Sequence, residues 1–159
     1  MPTQQQVVDD WYQRVVKTQK AHYLSAHHFG SRKYWLGIPT IGLSTLVGTS
    51  VFATLQQKPE LWLQITVGLL SVVAALLASL QTFLNYSERA EKHRVAGAKY
   101  GALGRELEQL RAIETAPSAE AISDIRKRLD DLAVESPNNP LRLWRRVDPR
   151  YTAQLETKS

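Results

Sequence analysis

Two sets of residues in this chain have the types and spacing to do chemistry. Near the carboxyl end, Arg142, Arg145, Arg146 and Arg150 are interleaved with Trp144 and Tyr151. Guanidinium groups fork onto phosphate oxygens and aromatic rings stack on bases, so the segment could hold a nucleotide or a short nucleic acid. The same composition serves equally to dock a subunit or an anionic membrane surface. The second set is a line of small and polar residues, Gln64, Gly68, Ser71, Ala75, Ala78, Thr82 and Asn85, at alternating steps of four and three inside an otherwise apolar run. Polar atoms at that depth need partners or water, so the line could face a narrow aqueous path between several copies of the chain. Dry packing of small residues against another helix is the competing account.

Catalytic chemistry has no such support. The sequence has no glycine-rich phosphate loop, no histidine and carboxylate cluster at metal spacing, and no Ser-His-carboxylate arrangement, so catalytic residues, metal and cofactor are all expected to be none. His27 and His28 are adjacent and point about 100° apart on a helix, which does not make a ligand pair. His22 and His93 fall in segments explained by helix packing. With no cysteine, disulfides, zinc-thiolate sites and iron-sulfur clusters are excluded.

The elements that must position these residues are organised around residues 34–57 and 61–87, two charge-free segments separated by Lys58-Pro59-Glu60. At about 1.5 Å per residue each is long enough for the roughly 30 Å hydrocarbon core of a bilayer. Pro59 stops the first and suits the first turn of the second. Both therefore read as transmembrane helices joined by a short periplasmic turn at 58–60. The first carries Gly37, Pro39, Gly42, Ser44 and Gly48, a composition that lets helices approach closely. Arg32 and Lys33 precede the first span and Arg89, Lys92 and Arg94 follow the second, so the positive-inside rule puts both termini in the cytoplasm. Asp9 and Asp10, with no apolar core segment before the first span, do not fit a cleaved signal peptide.

Before the hairpin, residues 4–29 form an amphipathic helix with Val8, Trp11, Tyr12, Val15, Gln19, Tyr23 and Ala26 on one face, ended by His27-His28 and Gly30-Ser31. It either lies in the membrane interface or packs on the helix after the second span; small and β-branched residues on its face favour packing. No proline occurs between Glu60 and Ala116, so the second helix is expected to run on into the cytoplasm through Ala96, Leu103, Leu107 and Leu110, with Tyr100 alongside. Gly97, Gly101 and Gly104 imply close approach of another helix or a bend there. Ser118 caps a further helix with the apolar stripe Ala121, Ile122, Ile125, Leu129 and Leu132, which folds back onto the long one. The expectation is an all-α membrane protein of one domain with a cytoplasmic helical region at 88–159, assembled as a homo-oligomer with a tetramer as the working count.

The amphipathic first helix, the hairpin entered through Tyr34-Trp35-Leu36-Gly37-Ile38-Pro39, and Ala90-Glu91-Lys92-His93-Arg94 followed by Tyr100, Leu103, Arg105 and Glu108 resemble the SLATT family over about the first 135 residues. This is a two-transmembrane effector domain found with nucleotidyltransferases or nucleotide sensors in prokaryotic conflict and antiphage systems. The resemblance implies an oligomeric pore in the bacterial inner membrane, controlled by a nucleotide or oligonucleotide signal from a partner nucleotidyltransferase encoded nearby. Opening would depolarise the cell and arrest or kill it. The family offers no catalytic residues; His93, Arg94, Tyr100 and Arg105 are the positions that match its pattern. The other reading of the chain is a non-conducting membrane-anchored scaffold or sensor that recruits a cytoplasmic partner.

Overall fold

A computed structural model describes residues 3–54, 60–113 and 117–149. The short turn around Pro59, Arg150 and Tyr151 lie outside the described residues. Among those described, all regular structure is helical: α1 Gln4–Thr54, α2 Leu61–Leu84, α3 Tyr86–Ala112, α4 Ala119–Glu135 and α5 Leu141–Val147. Two compact units form, residues 1–28 with 89–159, and residues 29–88.

In the first unit, the amino-terminal part of α1 packs antiparallel on α3. Val8, Val15 and His22 are spaced by seven and are buried, as are His93, Tyr100 and Leu107 on α3. A seven-residue seam on both partners is the interlocking geometry of left-handed helix pairs. The α3 glycines serve close approach: a Cβ on Gly104 would meet Val15 at 3.4 Å, one on Gly101 the Gln19 amide at 2.6 Å, and one on Gly97 the Tyr23 ring at 3.2 Å. The core closes with Leu103, Ile125 and Leu132, and with Trp11, Tyr12, Leu110 and Leu129 partly buried around it. The expected stripe of α4 is the one that packs. Ser118 caps that helix, its hydroxyl oxygen accepting from Ala121 N at 3.2 Å. Arg128 forks onto Glu106 at 2.6 and 2.8 Å and Lys99 reaches Glu135 at 2.6 Å, tying α4 to α3. α5 is held to α1 through Lys17 and Asp148 at 2.8 Å.

In the second unit the rest of α1 runs antiparallel to α2. Gly37 faces Gln81, whose Nε2 would lie 3.6 Å from a Cβ on that glycine, and Phe29 stacks on Tyr86 at 6.1 Å between ring centroids. The partly buried line on α1 is Leu36, Thr40, Leu43 and Val47; on α2 it is Val67, Leu70, Leu77, Gln81 and Leu84, with Ala74 buried at its centre. The helical stretch beginning at Leu61 is long and apolar enough to cross a membrane, and almost none of it is buried against protein.

Two expectations about helix ends are corrected. Gly30-Ser31 does not end the first helix, and Pro39 lies within it, so α1 is continuous over 51 residues. A glycine costs about 1 kcal/mol against alanine without breaking the hydrogen-bond ladder, and a proline removes one bond of many. Conversely, the second helix does not run unbroken past residue 84. Asn85 takes the left-handed conformation at φ 42°, its N–H bonding Gln81 O at 3.2 Å to close α2. Its side-chain amide donates to Glu88, three residues on, at capping-box spacing for α3. After glycine, asparagine is among the residues that most readily visit this region, so the break needs no proline.

Candidate functional site

Along α2, the residues expected to line a pore occupy the flank of the seam that meets α1, not the seam itself. Gln64, Gly68, Ala75, Ala78, Thr82 and Asn85 are exposed within the chain and Ser71 is partly buried. The packing line Val67, Leu70, Ala74, Leu77, Gln81 and Leu84 precedes the polar line by about one residue at each turn. The intrachain contact therefore leaves the polar line largely uncovered. Ser71 Oγ donates to Val67 O at 2.8 Å and Thr82 Oγ1 to Ala78 O at 3.1 Å. These bonds satisfy the hydroxyl protons and leave the oxygens able to accept a further hydrogen bond. Nothing lies within 4 Å of a Cβ built on Gly68. Asn85, at the end of the line, also forms the α2–α3 junction, a backbone duty that the sequence pattern does not reveal.

The second set is divided by its own helix. On α5, Arg142, Arg145 and Arg146 are exposed, whereas Leu143 is buried and Trp144 is half-buried with its indole Nε1 shielded from solvent. Trp144 lines a cavity of about 350 Å³ with Thr18, His22, Tyr100 and Asn139. The three arginines share a face because their spacing is three and four; Trp144 falls on the other side for the same reason. The arginines are together, and the tryptophan is not positioned to stack a base beside them.

A third cluster escapes sequence reasoning. His22 Nδ1 and His93 Nδ1 are 3.0 Å apart, and the His22 ring stacks on Tyr100 at 5.4 Å between centroids. Both histidines are buried, at 2% and 3% exposure. At that separation one imidazole donates and the other accepts, which requires opposite tautomers. Burial, followed by the charge on His93, lowers the His22 pKa to about 4; burial lowers that of His93, and burial raises that of the Tyr100 phenol. The pair is thus neutral near pH 7 and acts as a polar pin between α1 and α3. Beside it, Ser25 Oγ donates to Asn139 Oδ1 at 2.9 Å, joining α1 to the turn before α5. The signal that could have found it is the seven-residue step Val8, Val15, His22, which an apolar count hides by moving on to Tyr23. Among the described residues no group of three or more histidine and acidic side chains could hold a metal.

A family model described as SMODS and SLOG-associating 2TM effector domain family 4 matches residues 4–136. The chain belongs to this SLATT family. As a SLATT domain it is a membrane effector of conflict systems. The match takes in the polar line of α2 and the whole His22–His93–Tyr100 cluster; the α5 arginines lie beyond it. Of the four SLATT-pattern positions, His93 and Tyr100 are buried together. Arg94 instead pairs with Glu91 at 2.6 Å on the surface, and Arg105 is exposed. No curated protein and no solved structure gives a significant match to the chain.

Proposed function

We propose that this SLATT protein is a gated homo-oligomeric channel, working count four, in the bacterial inner membrane, with both termini cytoplasmic. Its opening depolarises the membrane and arrests or kills the cell in antiphage defence. The observation that carries the reading is the polar line of α2, left uncovered by α1 on a helix apolar enough to span a bilayer. Polar groups in hydrocarbon are costly unless paired or wet, and copies of the chain turned toward one another would supply both conditions. Replacing Gln64, Ser71 or Thr82 by leucine is expected to reduce single-channel conductance in planar bilayers at least tenfold without altering the oligomer seen by cross-linking. Unchanged conductance would remove these residues from the pore wall.

The exposed arginine face of α5 supports control by a nucleotide or short oligonucleotide made by a partner nucleotidyltransferase. Arg142, Arg145, Arg146 and Arg150 would engage its phosphates and bias the cytoplasmic helices between two arrangements, as differential binding requires. Each arginine replaced by glutamine is expected to weaken binding of the active member of a panel of cyclic dinucleotides and oligonucleotides about tenfold. Raising salt is expected to weaken it further. Full affinity in the quadruple variant would move the ligand elsewhere. A membrane-anchored scaffold is the second reading, favoured by the internal hydrogen bonds of Ser71 and Thr82, which let the line lie dry against a partner. Ion flux from liposomes separates the two.

A further inference from the structure

At the end of the hairpin where α2 gives way to α3, a cavity of about 400 Å³ is lined by Lys33, Gln81, Thr82, Asn85, Tyr86 and Ser87. Its chemistry is unlike that of the faces around it. Lys33 supplies an ammonium, Ser87 a hydroxyl and Gln81 an amide, and Arg32 brings a second cation over the Tyr86 ring at 6.0 Å. Neither Arg32 nor Lys33 is ion-paired among the described residues; Lys33 rests 5.9 Å from the Tyr34 ring centroid. The acidic group at this end, Glu88, accepts from the Asn85 amide. Next along the chain from the lining residues Lys33 and Thr82, Tyr34, Trp35 and Phe83 are 62%, 82% and 83% exposed. Exposed aromatics next to cations mark the depth at which headgroups meet acyl chains.

We propose that this cavity binds the phosphate of a phosphodiester or phosphate monoester, with Lys33 as its charged contact. An anionic phospholipid supplies such a group at this depth, and a soluble phosphate ester would present the same chemistry. The inference rests on the reading that the hairpin crosses the bilayer with Lys33 at the headgroup level. A phosphate seated here contacts Asn85, Tyr86 and Ser87, the residues through which α2 is joined to α3, so lipid composition would act directly on that junction.

The test is native mass spectrometry of the full chain in detergent, with short-chain phosphatidylglycerol, the matching phosphatidylcholine, and glycerol 3-phosphate as probes. Phosphatidylglycerol is expected to bind about fivefold better than phosphatidylcholine, the factor one lysine contributes near an anionic surface. Lys33→Gln should erase that preference and Lys33→Arg should keep it, with helicity by circular dichroism unchanged in both. Displacement of the lipid by equimolar glycerol 3-phosphate would assign the phosphate to solution, and failure to displace it would assign it to the bilayer; either outcome supports the site. Equal binding of the two lipids by the wild type, or phosphatidylglycerol binding by Lys33→Gln at the wild-type level, overturns it. A chain that stays monodisperse without detergent would instead defeat the bilayer reading.

Discussion

Taking the protein from pH 7 to pH 4 is expected to cost the unit built from residues 1–28 and 89–159 about 3 kcal/mol through His22. The folded-state pKa of this residue is about 4 against an ordinary 6.5, because its ring is buried beside His93. In that interval the unfolded chain binds more protons than the folded one. The contribution is therefore fully present above pH 6.5 and drains away as the pH falls through 4. His93, lowered by the same burial, adds in the same direction. Glu106, whose carboxyl is held low by its hydrogen bonds to Arg128, contributes loss only in the ordinary carboxylate range and below. The window from pH 6.5 to 5 thus isolates the histidines. Thermal unfolding of the full chain in detergent should show a falling midpoint across that window. A His22→Gln, His93→Gln double variant should start lower at pH 7 and show a flatter profile. Parallel profiles for wild type and variant would mean the pair does not carry the linkage.

The glycine seam predicts an effect of similar size with a different signature. At Gly101, the nearest obstacle to a Cβ is the end of the Gln19 side chain. Alanine can displace that flexible amide, and its gain in helix propensity, up to about 1 kcal/mol, offsets the disturbance. Leucine cannot be accommodated that way, since its branch must enter the space between the two helix backbones. Gly101→Leu should therefore destabilise the α1–α3 pair by about 3 kcal/mol, the upper end for overpacking a tight core. Gly68 is the contrasting site, with nothing within 4 Å of its Cβ position. Gly68→Leu should leave unfolding of the single chain unchanged and alter only assembly or conductance. The comparison reads directly on whether the polar line of α2 meets other copies: a Gly68→Leu protein with wild-type assembly and conductance would take Gly68 off any interface.

Much of this architecture is legible because apolar periodicity is a local property. The stripe Ile122, Ile125, Leu129 and Leu132, its cap at Ser118, and the line Ala96, Leu103 and Leu107 on α3 follow from spacing alone, and each sits where spacing puts it. The glycines at 97, 101 and 104 also announce a close neighbour, since a helix that gives up propensity at three glycines gains only if another backbone comes near. Of the candidate sites, the α2 line is recognisable by its seven-residue repeat, and the arginine face of α5 by composition.

Polar packing is not legible in the same way. His22, Ser25 and His93 carry no apolar signal, so nothing local says that two imidazoles will meet at 3.0 Å across 71 residues of chain. Trp144 and the arginines look like one motif in sequence, yet a seven-residue helix necessarily turns them to opposite sides. That α1 runs on through Gly30 and Pro39 and that α2 ends at Asn85 without a proline are features of the folded backbone that apolar spacing does not report. By itself the sequence determined which stretches are helical and which of them are apolar enough for a bilayer. Only the tertiary structure decided which polar side chains are buried partners and which remain uncovered. Hydrophobic burial scales with each residue's own surface, whereas a hydrogen bond or a charge has meaning only with its partner in place.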